Sequence, residues 1–123
     1  MKKIATEHAP KAIGPYSQGI CAGEWVFTSG QIAIDPATGN IDATDVVGQT
    51  EQVMKNLGEV LSAAGTSYDK AIKTTCFLAD MADFGAFNEV YAKYFVSKPA
   101  RSCVAVKTLP KNVLVEVEVI AEI

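Results

Sequence analysis

The chain has 123 residues, of which 49% are hydrophobic and 20% charged, enough to bury one core without disulfide or metal staples. A net charge of −3, a pI near 5.1 and no concentrated run of Lys or Arg make nucleic acid a poor partner on electrostatic grounds. The single histidine argues against a histidine triad, a His-based zinc site and two-histidine ribonuclease chemistry.

The N-terminal stretch Met1 to His8 carries two lysines but no apolar segment behind them. No apolar run approaches the roughly 20 residues a bilayer requires. A soluble cytoplasmic protein is expected, folded throughout as a single domain over residues 1–123. Cys21, Cys76 and Cys103 are odd in number and widely spaced, which predicts free thiols in a reducing compartment.

Ala9 to Gly19, with two prolines and two glycines, predicts an ordered loop between short strands and contains Tyr16. Trp25 to Gly30 predicts a strand whose last residues expose backbone groups. Asp35 to Asn40 is a turn. From Asp45 to Ala64 the apolar residues Val46, Val53, Met54, Leu57, Val60, Leu61 and Ala64 recur at helical spacing, with Asp45 as N-cap and Gly65 just past the end. Ala71 to Leu78 alternates as a strand. A second helix is predicted over Met81 to Phe95, capped by Asp80 and stopped by Lys98-Pro99. Arg101 to Val106 and Leu114 to Ala121 alternate cleanly about the turn Leu109 to Asn112, and are expected to pair antiparallel. The pattern predicts an α+β fold, a sheet with two helices packed on one face.

Alternation puts Val104 and Val106 on one side of their strand and Arg101, Cys103 and Ala105 on the other. In the last strand Val115, Val117, Val119 and Ala121 share a side opposite Glu116, Glu118 and Ile120. If both valine rows lie beneath the helices, Arg101, Cys103, Glu116 and Glu118 converge on the second face. A hairpin would set Glu118 near Cys103 and Glu116 near Ala105, but a one-residue slip changes both pairings, so pattern leaves Glu116 and Glu118 open. Leu114, Ala105 and Ile120 make that face apolar enough to suggest subunit contact.

Pro99-Ala100-Arg101-Ser102-Cys103-Val104, Leu109-Pro110 and Val115-Glu116-Val117 resemble the signature of the RidA family of reactive-intermediate deaminases, also called YjgF proteins. Ile13 to Gly19, Thr28-Ser29-Gly30-Gln31 and Phe87 to Tyr91 match as well, so the resemblance spans nearly the whole chain. Val117 stands where the family more often has Ile or Met. The resemblance implies a chorismate-mutase-like fold with a mixed β-sheet, a homotrimer whose sheets form a central barrel, and active sites between subunits. It implies hydrolysis of 2-aminoacrylate, 2-iminopropanoate and 2-iminobutanoate, which pyridoxal-phosphate dehydratases release, to 2-oxo acids and ammonia. The resemblance further implies that the matching arginine, Arg101, binds the carboxylate and that the matching glutamate, Glu116 rather than Glu118, handles the water.

These residue types suit that chemistry. A guanidinium fork matches a carboxylate bidentately, and a partly desolvated glutamate with a raised pKa can shuttle protons. No metal or organic cofactor is required. Tyr16, Ser29, the backbone of Gly30 and Cys103, and Asn88 are the expected lining of the pocket. Without the signature, Arg101 reads first as an ordinary ion-pair partner. Cys103 has no histidine in the pattern to activate it and reads as a packed thiol. Tyr91, Tyr94 and the helix phenylalanines read as core before pocket.

Overall fold

A computed structural model describes residues 1–123. The chain runs β1 (Lys2–Ile4), β2 (Gly19–Ala22), β3 (Trp25–Thr28), α1 (Val46–Ala63), β4 (Ala71–Leu78), α2 (Phe84–Tyr94), β5 (Ala100–Ala105) and β6 (Val115–Glu122). The six strands form one mixed sheet in the order β1-β2-β3-β6-β4-β5, and both helices pack on one face, the α+β arrangement expected.

Local chemistry sets the helix ends. The Asp45 carboxylate accepts from Gly48 N at 2.8 Å. At the other end Gly65 takes a φ of +86°, which lets Gly65 N reach Ser62 O and Thr66 N reach Leu61 O, each at 3.0 Å; this closes α1 with a Schellman motif. Asp80 accepts from Ala82 N at 2.9 Å, but Met81–Asp83 forms a 3-10 turn, so α2 itself starts at Phe84.

Val53, Met54, Leu57 and Leu61 of α1 meet Phe87, Val90 and Tyr91 of α2 over the row Val115, Val117, Val119 and Ala121 of β6. Each of those β6 side chains is essentially fully buried. Polar positions on α1 tie down the loops around this core. Asn56 Nδ2 donates to the carbonyls of Ile32 and Ile34 at 3.0 and 2.9 Å, and Gln49 Oε1 accepts from Leu114 N at 2.8 Å.

The expected β5–β6 hairpin does not form. β5 pairs only with β4, in parallel, through the β4-α2-β5 crossover. β6 runs antiparallel between β3 and β4. Short connection and clean alternation are shared by hairpins and by this route, so they do not distinguish the two. Burial does: β6 carries the most apolar row and takes the centre, while β5, with Arg101 and Ser102, is left at the edge, where polar residues blunt unwanted pairing.

The face assignment for β5 inverts with the pairing. Arg101, Cys103 and Ala105 are level with Thr74, Cys76 and Leu78, three fully buried residues on the helix side. Val104 instead points to the open face and is 46% exposed. Glu116 and Glu118 are level with Phe77 and Thr75 on that open face, beside Trp25 and Phe27, which are 42% and 44% exposed.

Candidate functional site: two half-sites on opposite faces of the sheet

Arg101 therefore does not share a face with Glu116. It lies three residues along and two strands across from it, about 14 Å by ordinary sheet spacing, with the sheet between the side chains. The candidate residues fall into two separate groups.

The first group forms where the edge strand β5 meets α2. Arg101 Nη1 donates to Asn88 Oδ1 at 2.6 Å, and the guanidinium carbon lies 4.7 Å from the ring centroid of Tyr91 and 5.4 Å from that of Phe84. Phe84, Asn88 and Tyr91 follow one another at helical spacing and so present one face of α2 to the arginine. A groove of about 470 Å³ opens here, lined by Asn88, Tyr91, Phe95, Val96, Lys98 and Arg101. One carbonyl oxygen and two ring faces hold the cation without neutralising it, which leaves it free to bind an anion. Burial pushes the Cys103 thiol up, against the opposing pull of Arg101, so it stays protonated near neutrality and is a weak nucleophile.

The second group gathers on the open face. Gln31 and Val117 exchange backbone bonds, Gln31 N to Val117 O at 2.9 Å and Val117 N to Gln31 O at 3.2 Å. This bridge lays Gly30 against the Glu116 carboxylate, and a Cβ at position 30 would overlap it, so a larger residue there would make the acid move aside. Burial pushes the Glu116 carboxyl up, and the nearby Glu118 charge adds to the shift. Both causes favour the protonated form of Glu116 relative to an ordinary carboxylate.

Tyr16 rims this group, half exposed on the Ala9 to Ser17 loop. The loop is ordered by Gln18, whose Nε2 donates to Thr6 O, Ala9 O and Pro10 O while its Oε1 accepts from Thr6 N. Ser29 hangs on the same loop, donating from N to Gln18 O at 2.9 Å and from Oγ to Ser17 O at 2.5 Å. A groove of about 620 Å³ includes Tyr16, Gly30, Gln31, Ile32, Lys111 and Glu116. No three His, Cys, Asp or Glu side chains stand close enough together to hold a metal ion.

Thus Arg101 and Asn88 line one groove, with Cys103 on the same side of β5 but outside that lining, and Tyr16, Gly30 and Glu116 line the other, with Ser29 next to Gly30 but its hydroxyl turned to Ser17 O. Sequence reasoning missed Gln18, a buried organiser with no signal beyond its place at the end of a Pro- and Gly-rich loop. It read Tyr91 and Phe84 as core before pocket, and both do pack in or against the core, while their spacing with Asn88 also marks the face of α2 that meets Arg101.

The endoribonuclease L-PSP family profile matches residues 6–123. The chain is 56% identical over 119 residues to a RutC family protein of Pyrococcus horikoshii, covering 96% of this chain and 94% of that one. It is 47% identical over 121 residues to the mouse protein named 2-iminobutanoate/2-iminopropanoate deaminase, covering 98% and 90%. Among solved structures it is similar to E. coli TdcF with bound serine, with a TM-score of 0.95, 46% identity and coverage of 100% and 99%. On the profile match, these identities and the shared fold, the chain belongs to the endoribonuclease L-PSP family, the RidA/YjgF family.

Proposed function

We propose that this protein is a deaminase of small 2-imino acids, converting 2-aminoacrylate, its tautomer 2-iminopropanoate, and 2-iminobutanoate to 2-oxo acids and ammonia. The observation that carries the reading is a pair of complementary half-sites: an unneutralised arginine in one groove and a carboxylate of raised pKa in another. The name of the mouse relative supports the substrate class.

The chemistry divides between the halves. Arg101 grips the substrate carboxylate through its fork, each charge-assisted bond contributing on the order of 1.5–3 kcal/mol. Glu116 takes a proton from water as the water oxygen bonds to the imine carbon. It delivers that proton to nitrogen to give a carbinolamine, then takes the carbinolamine hydroxyl proton and passes it to the same nitrogen, so that the carbon–nitrogen bond breaks, ammonia leaves and the C=O of the 2-oxo acid forms. Tyr16, Ser29, the Gly30 backbone, Asn88 and the Cys103 backbone line the pocket. The imine forms when a pyridoxal-phosphate dehydratase releases its product, so such an enzyme is the source of substrate.

The halves belong to opposite faces, so a complete site needs Arg101 of one subunit and Glu116 of another. The exposed Trp25, Phe27 and Val104 form an apolar sheet face of the kind that subunit contact covers, and a closed homotrimer with three such sites is the assembly proposed.

Purified protein mixed with a threonine dehydratase in buffer that traps free imine should accelerate 2-oxobutanoate formation. Arg101→Ala and Glu116→Gln subunits should each retain no more than about 1% of wild-type activity alone. After mixed reassembly of equal amounts, roughly a quarter of the sites should combine two intact halves and regain activity. No recovery in verified hybrids would overturn the shared site, and no acceleration by wild type would overturn the deaminase.

A second reading, a non-catalytic small-carboxylate-binding regulator, is favoured by the serine bound in the E. coli TdcF structure. Saturable binding of 2-oxobutanoate without imine hydrolysis would select it. The family's endoribonuclease name raises RNA cleavage as a third; cleavage that survives both Arg101→Ala and a chelator would support that instead.

A further inference from the structure

Arg101 is held by more than its one hydrogen bond. Its backbone is level with Thr74 on the neighbouring strand β4. The Thr74 hydroxyl, fully buried, lies 2.7 Å from the Tyr91 hydroxyl on α2. The Tyr91 ring returns to the start of the circuit, with the Arg101 guanidinium 4.7 Å above its centroid. Tyr91 is itself stacked on Phe95 at 4.6 Å between centroids, so the ring is held by a neighbouring ring as well as at its tip.

We infer that Tyr91, tethered through its hydroxyl to Thr74, is a positioning residue that fixes the orientation of the Arg101 guanidinium for its ligand. This rests on the proposed reading of Arg101 as the carboxylate grip. Tyr91 touches neither water nor imine in the proposed chemistry; it acts through the arginine. Asn88 occupies one N–H of the guanidinium, and the ring beneath removes the freedom to tip about that bond. What remains is an edge of donors aimed outward, the arrangement bidentate binding requires. Burial raises the Tyr91 phenol, which keeps its proton and its hydrogen bond near neutral pH.

The test uses the whole protein with four variants: Tyr91→Leu, Tyr91→Phe, Thr74→Val, and the Tyr91→Phe/Thr74→Val double. Thermal unfolding checks folding, the Arg101 Nε–H NMR signal reports guanidinium order, and titration with 2-oxobutanoate reports binding. Tyr91→Leu should broaden or shift the Arg101 signal and weaken 2-oxobutanoate by about 10-fold, with KM rising more than kcat falls. Tyr91→Phe keeps the ring, so it should restore most of that loss and, like Thr74→Val, cost only about 3-fold. The double variant should lose no more than either single, because one shared hydrogen bond is removed.

An unchanged Arg101 signal and unchanged 2-oxobutanoate affinity in Tyr91→Leu would overturn the inference. If Tyr91→Leu fails to fold, additive losses in the double variant, or none in either single, would overturn it instead. Should wild type neither deaminate imines nor bind 2-oxobutanoate, the proposed function falls, while the NMR signal still decides whether Tyr91 orders the arginine.

Discussion

The two half-sites differ in how they treat charge. At the β5 edge a permanent cation is surrounded by neutral groups that steady it, namely Asn88 Oδ1 and the rings of Tyr91 and Phe84. On the open face a carboxylate is surrounded by what disfavours its ionised form, burial and the like charge of Glu118. The difference matches the proposed roles, in which one group only grips and keeps its charge while the other exchanges a proton and has its ionised form disfavoured. The sheet lies between the two groups, and in the proposed homotrimer the contact between subunits brings them together.

The sharpest way to break this comparison is at the grip. Arg101→Ala should lower kcat/KM for 2-iminobutanoate by about 10³-fold in the dehydratase-coupled assay, and Arg101→Lys should recover no more than about a tenth of wild type, since charge without a fork does not orient. Equal activity of the lysine variant would mean that the geometry around Asn88 is irrelevant.

Next comes the proton carrier. Glu116→Gln should reduce kcat by about 10²-fold while leaving 2-oxobutanoate affinity near wild type. The same variant has a signed effect on stability. The folded-state pKa of Glu116 is raised from 4.5, so the folded protein holds that proton more tightly than the unfolded chain. Its contribution is full below the unfolded pKa and is lost as pH rises through the folded one. The gain in thermal stability of Glu116→Gln over wild type should therefore grow as pH rises from about 4. Glu118→Gln removes one cause of the shift and should move the acid limb of the pH–rate profile to lower pH.

A smaller effect tests the wall against which Glu116 rests. Gly30→Ala puts a methyl where the carboxylate lies and should lower kcat about 10-fold by displacing it, with Arg101-dependent binding of 2-oxobutanoate retained. The smallest concerns the support of α2. Lys93 and Glu51 pair at 2.7 Å, and hydrogen bonds from Lys93 and then Tyr94 lower the Glu51 carboxyl. Lys93→Met should cost only about 0.5 kcal/mol at neutral pH in chemical unfolding. That difference should shrink as the solution is acidified through the carboxylate range, opposite in sign to Glu116.

Much of the fold was legible because short-range chemistry wrote it. Asp45, Gly65 and the apolar spacing between them mark α1, and the alternation of Ala71 to Leu78 marks β4 to the residue. Strand partnership was not legible, because alternation reports which residues share a side and never which strand lies alongside. From that ambiguity came the β5–β6 hairpin, whereas the shared face of Arg101 and Glu116 came from a second source, the choice of which row of β5 faces the helices. Valine was taken as the inward residue of β5, yet at a sheet edge the rim of a helix can favour an arginine whose stem packs and whose head rests on aromatic rings. Glu116 could not be separated from Glu118 by pattern, since both face the same way. What distinguishes them is a contact distant in sequence, the Gln31–Val117 bridge that brings Gly30 to Glu116.

The central place of β6 has a further consequence, for the order of folding. Its partners β3 and β4 are made long before it, yet neither can be joined to the other until residues 115–122 arrive. During synthesis the earlier strands wait with their inner edges unpaired, a state prone to wrong association. The carboxylate strand is thus also the keystone of the sheet, and a lesion there should be felt first as poor yield of folded chain and only afterwards as lost catalysis.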